Sequence, residues 1–154
     1  MRGKTAVRGR GKRRVDMSAD AFVDADVIVR LLTGDDLRKQ ARAAALFERV
    51  EAGETRVRLL ASTLADVVYV LTSPRLYATP RAKAADLLSV LVRLPAIVMD
   101  DREIALGALD LFARSNLDFG DALIAAAMAQ EGVDALYSYD RDFDRLAGLR
   151  RIEP

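Results

Sequence analysis

The chain has 154 residues, of which 51% are apolar and 31% are charged, a composition typical of one globular domain with a sizeable core. It contains neither cysteine nor histidine, which excludes disulfides, zinc sites built from thiolates or imidazoles, and Ser-His-Asp or Cys-His catalytic groups. If the chain hydrolyses a bond, it must use carboxylates, lysines, arginines, hydroxyls or a metal bound through oxygen. Oxygen ligation selects Mg²⁺, Mn²⁺ or Ca²⁺.

The positive charge of the chain is concentrated near its start. Residues 1–15 carry seven basic side chains and no acid, whereas the rest of the chain carries 17 basic and 23 acidic groups, a net charge of −6. Residues 1–19 are rich in Arg and Gly and lack hydrophobic periodicity, so we predict a disordered basic extension before a folded domain over residues 20–154. The extension either adds affinity for nucleic acid or reflects a start assigned too early, with Met17 as the alternative.

From Ala21 onward, short apolar runs alternate with helical patterns. Strands are predicted at residues 21–24, 57–61, 96–99 and 135–139, with a final extended piece at 149–152. Helical faces are predicted within residues 43–50, 64–71, 84–94 and 104–112. Residues 121–130 are apolar on almost every side, as in a helix buried against a sheet. This alternation predicts an α/β fold with a central, mostly parallel sheet of four to five strands.

The sequence also carries no signal for a membrane or for export. No apolar run reaches the roughly 18 residues that a membrane-spanning helix needs. Residues 1–20 lack the apolar stretch of a signal peptide. We therefore expect a cytoplasmic protein.

Carboxylates stand at corresponding ends of the predicted strands. Asp24 ends the first strand, Asp66 is placed in the first turn of the helix after the second, and Asp140 follows the fourth. Asp121 opens the helix that leads into the fourth strand. Sites in open parallel sheets lie at the carboxyl ends of the strands, so we expect these four side chains to gather. Carboxylates about 4 Å apart repel by roughly 4 kcal/mol at an effective dielectric near 20, so such a group predicts a divalent cation.

Each of these acids also has a purely structural interpretation. Asp66 follows Thr63 at the spacing of a capping box, and Asp121 follows Asp118 at the same spacing. Asp140 suits a turn, because aspartate side chains bind nearby backbone amides. Two further acids after the third strand are interpreted as helix-start residues: Asp100 and Asp101.

Three stretches of the sequence resemble the motifs of PIN domains. Residues 22–32 (FVDADVIVRLL) resemble the opening strand and its Asp, and residues 60–71 (LASTLADVVYVL) resemble the second motif. Residues 117–146 (LDFGDALIAAAMAQEGVDALYSYDRDFDRL) resemble the third and fourth motifs. The resemblance extends over residues 20–152, and in size and style it is similar to the VapC toxins of bacterial toxin–antitoxin pairs. It implies a three-layer α/β/α fold and a Mg²⁺-dependent ribonuclease.

The same resemblance implies roles for individual side chains. Asp24, Asp66, Asp121 and Asp140 would form the catalytic acidic set, and all of them except Asp66 would hold Mg²⁺ or Mn²⁺. Polar residues near the site would be Asp118, Ser138, Asp142 and Asp144. This sequence departs from the family pattern in two places: Asp66 stands where the second motif usually has Glu, and Asp26 stands where Asn usually follows the first Asp.

The resemblance further implies an RNA substrate, a homodimer and a neutralising antitoxin protein. Since RNA must reach an acidic pocket, basic side chains are expected at its rim. By position alone the candidates are Arg30, Arg75, Arg81, Lys83, Arg141 and Arg145.

Two other functions fit parts of the sequence. A PIN domain weakened by the changes at Asp26 and Asp66 would act as an RNA- or protein-binding module. A phosphotransferase of the haloacid-dehalogenase type would use Asp24-Ala25-Asp26 as its nucleophile motif, but that family expects Thr or Val where Ile28 stands, and its catalytic Lys has no clear counterpart.

Overall fold

The computed structural model describes residues 18–154 as short parallel strands alternating with helices. The strands are β1 (Ala21–Phe22), β2 (Val57–Arg58), β3 (Ile97–Val98), β4 (Ala135–Tyr137) and β5 (Arg150–Ile152). The helices are α1 (Ala25–Leu32), α2 (Leu37–Glu51), α3 (Ala61–Thr72), α4 (Arg81–Arg93), α5 (Arg102–Arg114) and α6 (Phe119–Glu131), with a 3₁₀ helix at Arg141–Arg145. The predicted extension over residues 1–19 and the alternative start at Met17 fall outside the described residues, apart from Ser18 and Ala19.

The five strands form two parallel sheets. The first has the order β1-β2-β3, with Ala21 paired to Val57 and Val57 to Ile97, and the second pairs β4 with β5. The predicted α/β class and parallel strands are confirmed, and the helices and sheets are consistent with a three-layer α/β/α fold. The expected single sheet is divided, and β1 is an edge strand. Phe22 on β1 is 69% exposed and Tyr137 on β4 is 73% exposed.

Two elements differ from the predictions at the start of the domain. Helix α1 was not predicted, although Asp24 caps it and Ile28, Leu31 and Leu32 have helical spacing. The predicted strands were also too long, since β1 and β2 contain two residues each. The chain turns into a helix within a few residues after each of these strands. Residues that follow a strand directly were therefore predicted as part of it, although some of them lead into the helix that covers the sheet.

The core lies between the first sheet and the apolar faces of the helices. Its largest fully buried side chains come mainly from helices α1 to α5 and from the first sheet, and they include Ile28, Leu64, Leu88, Ile97 and Leu109. Helix α6 is less buried than predicted: Phe119 and Ala122 are buried, but Ile124 is 43% exposed. Because α6 packs mainly on α5, it presents one face to the core and leaves the other open. Within residues 18–154, no helix has the length and apolar character needed to cross a bilayer.

Two arginines bind backbone carbonyls where helices end. Arg81, the first residue of α4, donates to Phe112 O at 3.0 Å and to Leu117 O, and its guanidinium lies 3.5 Å from the centroid of the Phe112 ring. Arg102 likewise binds carbonyls at the end of α4, including Val92 O at 2.7 Å. A charged donor can satisfy several carbonyls that have no partner in the helix. Arg81 therefore fixes the connection between α5 and α6 against the start of α4.

We expect Arg81→Met to lower the free energy of unfolding by about 2 kcal/mol, because two carbonyls lose a charged donor and a ring contact is lost. Urea denaturation followed by circular dichroism measures the change. Arg93→Met, an exposed position on the same helix, is the matched control and should change stability little. Equal effects of the two substitutions would contradict the structural role of Arg81.

One acidic side chain joins two loops that are distant in sequence. Asp35, between α1 and α2, accepts hydrogen bonds from Tyr77 Oη at 2.5 Å, Arg30 Nη1 at 2.7 Å and Thr33 Oγ1 at 2.9 Å. Tyr77 lies between α3 and α4, next to Ala78, whose φ of 49° is unusual for a residue other than glycine. The hydrogen bonds from Tyr77 and Arg30 hold the pKa of Asp35 well below its usual range.

A folded-state pKa below the ordinary value means that ionised Asp35 stabilises the fold above its ordinary pKa, and this stability is lost as the pH falls toward the folded-state value. We therefore expect Tyr77→Phe to lower the melting temperature at neutral pH. The difference from wild type should shrink in strong acid, where Asp35 becomes protonated. Thermal melts at several pH values test this, and a difference independent of pH would contradict it.

Candidate active site

Asp24 and Asp26 stand at the end of the first sheet, where α1 begins. Asp24 is the N-cap of α1, and its Oδ1 accepts a hydrogen bond from the Ala25 amide at 2.8 Å. Asp26 lies in the first turn, and its carboxylate is 3.2 Å from Arg30 Nε one turn later. Both acids are exposed, and the start of a helix favours negative charge. Arg30 therefore offsets part of the negative charge that Asp26 brings where the family usually has Asn.

Asp66 occupies a different position from the one predicted. Helix α3 begins at Ala61 with Leu60 as its N-cap, so Asp66 lies in the second turn and its side chain is exposed. The capping box with Thr63 is wrong, because the helix starts earlier than the sequence pattern suggested. The helix starts early because β2 already ends at Arg58. Asp66 is thus free of a capping role.

Asp118 and Asp121 lie at the start of α6. Asp118 is the N-cap, and its Oδ1 accepts from the Asp121 amide at 2.8 Å, which confirms the interpretation of Asp118 as a cap. Asp121 itself is partly buried in the first turn. The two carboxylates are therefore held near each other by the geometry of the helix start.

Asp140 is held at the turn that follows β4. It caps the 3₁₀ helix, and its Oδ1 accepts from the Asp142 amide at 2.8 Å. Its own amide donates to Ser138 Oγ at 3.0 Å, so the hydroxyl of Ser138 shapes the turn. The structural interpretation of Asp140 as a turn residue is correct. The hydrogen bond from the Asp142 amide occupies one of the two carboxylate oxygens of Asp140.

The electrostatic centre of the candidate site is Asp121. Its pKa is raised, first by burial and then by the negative charges of Asp118, Asp140 and Asp142. Asp121 and Asp140, which were predicted from different motifs, therefore influence each other in the folded protein. Asp24 and Asp66 are absent from the groups that shift this pKa. We call the four coupled residues the α6 acidic cluster: Asp118, Asp121, Asp140 and Asp142.

A common metal position is not formed in this arrangement. Within residues 18–154, no three acidic side chains are placed to hold one ion together. Asp24 follows the first sheet, whereas Asp140 follows the second, and the two sheets share no strand pairing. The donors suit a hard divalent cation in kind, since carboxylate oxygens are its preferred ligands, but they do not fit one ion in their present placement.

Other acids that the sequence placed near the site have basic partners. Asp144 accepts two hydrogen bonds from Arg151, at 2.8 and 3.1 Å, and these lower its pKa. Asp100, which follows β3, is 2.8 Å from Arg58 Nη1. Asp101 is the N-cap position of α5 but makes no capping hydrogen bond with its side chain. Asp144 and Asp100 are therefore structural contacts.

Two of the arginines expected at the rim are engaged elsewhere. Arg81 binds backbone carbonyls, and Arg30 lies between Asp26 and Asp35, 2.7 Å from Asp35 Oδ2. Arg145 Nη1 lies 3.5 Å from Asp142, within the acidic cluster. The side chains of Arg75, Lys83 and Arg141 are exposed. Sequence position alone did not reveal the contacts of Arg81 or the contact of Arg30 with Asp35, because those partners lie on other elements or loops.

We expect Asp121→Asn to stabilise the fold at neutral pH. The folded-state pKa of Asp121 is raised, so stability falls as the pH rises from the ordinary aspartate pKa through the folded-state value. Asparagine cannot ionise, so the variant avoids this loss of stability. Its advantage over wild type should vanish in acid, where Asp121 is protonated in both the folded and the unfolded state. Urea midpoints at several pH values measure it, with Asp86→Asn on the exposed face of α4 as control. A variant less stable than wild type at neutral pH would contradict the prediction.

Comparison with known proteins gives a family match and similar solved structures. A family model described as PIN domain matches residues 21–149. Comparison with curated proteins finds no match. Among solved structures, Mycobacterium tuberculosis VapC20, described as a sarcin-ricin loop cleaving toxin, is 20% identical, and the match covers 88% of this chain and 100% of that chain with a TM-score of 0.35. Because the family model spans most of the chain, including all four predicted site acids, the protein belongs to the PIN domain family.

Proposed function

We propose that this PIN domain is a Mg²⁺-dependent endoribonuclease, with Mn²⁺ as an alternative metal, and that it is the toxin of a type II toxin–antitoxin pair. The observation that supports the proposal best is the α6 acidic cluster, because the groups that shift the pKa of Asp121 are all carboxylates. Three of these four carboxylates have no ion pair among the described residues, and Asp142 has Arg145 at 3.5 Å, so the cluster carries excess negative charge that attracts a cation. The absence of histidine and cysteine from the sequence leaves few other tools for hydrolysis.

A divalent cation would supply charge stabilisation for the phosphate and a water of lowered pKa. Asp121 and Asp140 are the residues of the cluster that we propose to hold it, together with Asp24. Asp66 is proposed as a further catalytic acid. Capping uses one oxygen each of Asp24 and Asp140, and the second oxygen of each carboxylate remains available. No binding geometry is implied, since the acids do not share one position here.

RNA is the substrate that we propose, in line with the PIN domain family. The proposed partners are a second copy of the chain and a neutralising antitoxin protein. A basic side chain of an antitoxin could pair with the α6 acidic cluster, and this contact would block access to the acids.

We expect Asp24→Asn, Asp121→Asn and Asp140→Asn each to reduce RNA cleavage at least about a hundredfold, which corresponds to about 3 kcal/mol of lost transition-state stabilisation. Gel assays with purified protein and Mg²⁺ measure the rate, and EDTA should abolish it. Hydrolysis by water should leave 5′-phosphate and 3′-hydroxyl ends. Asp86→Asn, an exposed acid on α4, is the control.

Three results would contradict this proposal. Equal cleavage by wild type and by Asp24→Asn would point to a contaminating nuclease. Products that end only in 2′,3′-cyclic phosphate would exclude attack by water. Full activity in EDTA would exclude the metal dependence.

A second candidate is a PIN domain that binds RNA or protein without cleaving it. The observation that favours it is the lack of three acids placed to hold one ion in the described part of the chain. Calorimetric titration with Mg²⁺ separates the two candidates. Retained RNA binding with neither metal binding nor cleavage would favour the binding module.

A further inference from the structure

A groove lies between α1 and α2, and the first residue in its lining is Asp26, two residues after Asp24 in the chain. It has a volume of about 280 Å³. Its apolar wall contains Val27, Ala43 and Leu46, and two cations of α2 stand beside that wall, Lys39 and Arg42. The groove therefore combines an apolar surface with positive charge next to a candidate catalytic acid.

The two cations of α2 differ from the third cation in this groove. Arg30 is compensated twice, by Asp26 at 3.2 Å and by Asp35 at 2.7 Å. Lys39 and Arg42 are exposed, and neither forms an ion pair with another residue in the range 18–154. They are three residues apart on one helix, so their charged groups lie on the same face. Their charge is available to a ligand.

We propose that this groove binds the backbone phosphates of a single-stranded nucleic acid through Lys39 and Arg42, and that it leads the strand to Asp24. The inference rests on the proposed nuclease function and adds the path of the substrate. Residues 16–154 carry a net charge of −6 and so repel a polyanion on average, and only a local cationic surface can hold phosphate beside the acids. The apolar wall can contact a ribose or a base while the phosphates face the cations.

Nucleic acid fits this groove better than an acidic protein segment because of where the groove lies. Asp26 in the groove wall stands two residues after Asp24, one of the acids proposed to act in cleavage. A nucleic-acid strand bound through Lys39 and Arg42 could therefore continue to the acids, whereas an acidic protein segment would gain nothing from that position.

The test is binding of a short labelled single-stranded RNA to the full chain in EDTA, measured by fluorescence anisotropy over a series of salt concentrations. Lys39→Met combined with Arg42→Met should weaken binding roughly tenfold at moderate salt and reduce the slope of log K against log salt by about 1.4, because two phosphate contacts are lost. The matched control is Arg93→Met combined with Arg114→Met, two exposed arginines at the ends of α4 and α5 that are not among the rim candidates. Urea midpoints verify that both variants fold.

Three outcomes would overturn the groove assignment. The first is an unchanged slope of log K against log salt in the α2 variant. The second is an equal loss of RNA binding in the control variant, which would mean that basic residues anywhere on the surface attract the RNA. The third is tighter binding of polyglutamate than of RNA with the same dependence on Lys39 and Arg42, which would assign the surface to an acidic protein. Asp24→Asn should keep RNA binding in EDTA. Binding that depends on Lys39 and Arg42 without any cleavage would contradict the nuclease proposal alone. Cleavage with binding that does not depend on these two residues would contradict the groove assignment alone.

Discussion

The hydrogen bonds of Arg81 to two backbone carbonyls hold together the half of the domain that carries the α6 acidic cluster. The carbonyls of Phe112 and Leu117 lie near the end of α5 and just before α6, and both receive their proton donor from the first residue of α4. The guanidinium also covers the Phe112 ring, which in turn meets Phe119 edge-on with ring centroids 5.9 Å apart. The direction in which α6 leaves this junction determines where Asp118 and Asp121 stand.

The acidic side chains of this protein fall into two groups with different physical roles. Asp35, Asp100 and Asp144 have arginine partners, and each of them fixes a loop or the end of a strand. The α6 acidic cluster is different, because burial first, and then the charges of its other three members, raise the pKa of Asp121. Among the described residues, only Asp142 of this cluster forms an ion pair, with Arg145 at 3.5 Å. Such an arrangement opposes folding, and proteins retain it where a ligand requires it. This separation distinguishes candidate catalytic acids from structural ones better than sequence position does.

The sequence was sufficient to predict the class of the fold and the approximate positions of its strands along the chain, because short apolar runs and helical faces alternate clearly. It was insufficient for α1, where the apolar residues after Asp24 follow a strand directly and look like its continuation. It also misplaced Asp66 relative to the start of α3, since Thr63 gave a false capping pattern. The partners of Arg30 and Arg81 could not be predicted, because Asp35, Phe112 and Leu117 meet these side chains only after the loops and helices have packed.

The bond between Asp35 and Tyr77 has a consequence for the order in which the chain organises itself. The two residues are 42 positions apart, and α2, β2 and α3 all lie between them. Closing a loop of that length costs conformational entropy that only the packed intervening elements can offset. We therefore expect this contact to form late, with the unusual backbone of Ala78 beside it adopted only once the surrounding structure can hold it. On this expectation, the hydrogen bond between Asp35 and Tyr77 forms when the first half of the domain has finished folding, and it takes no part in nucleation.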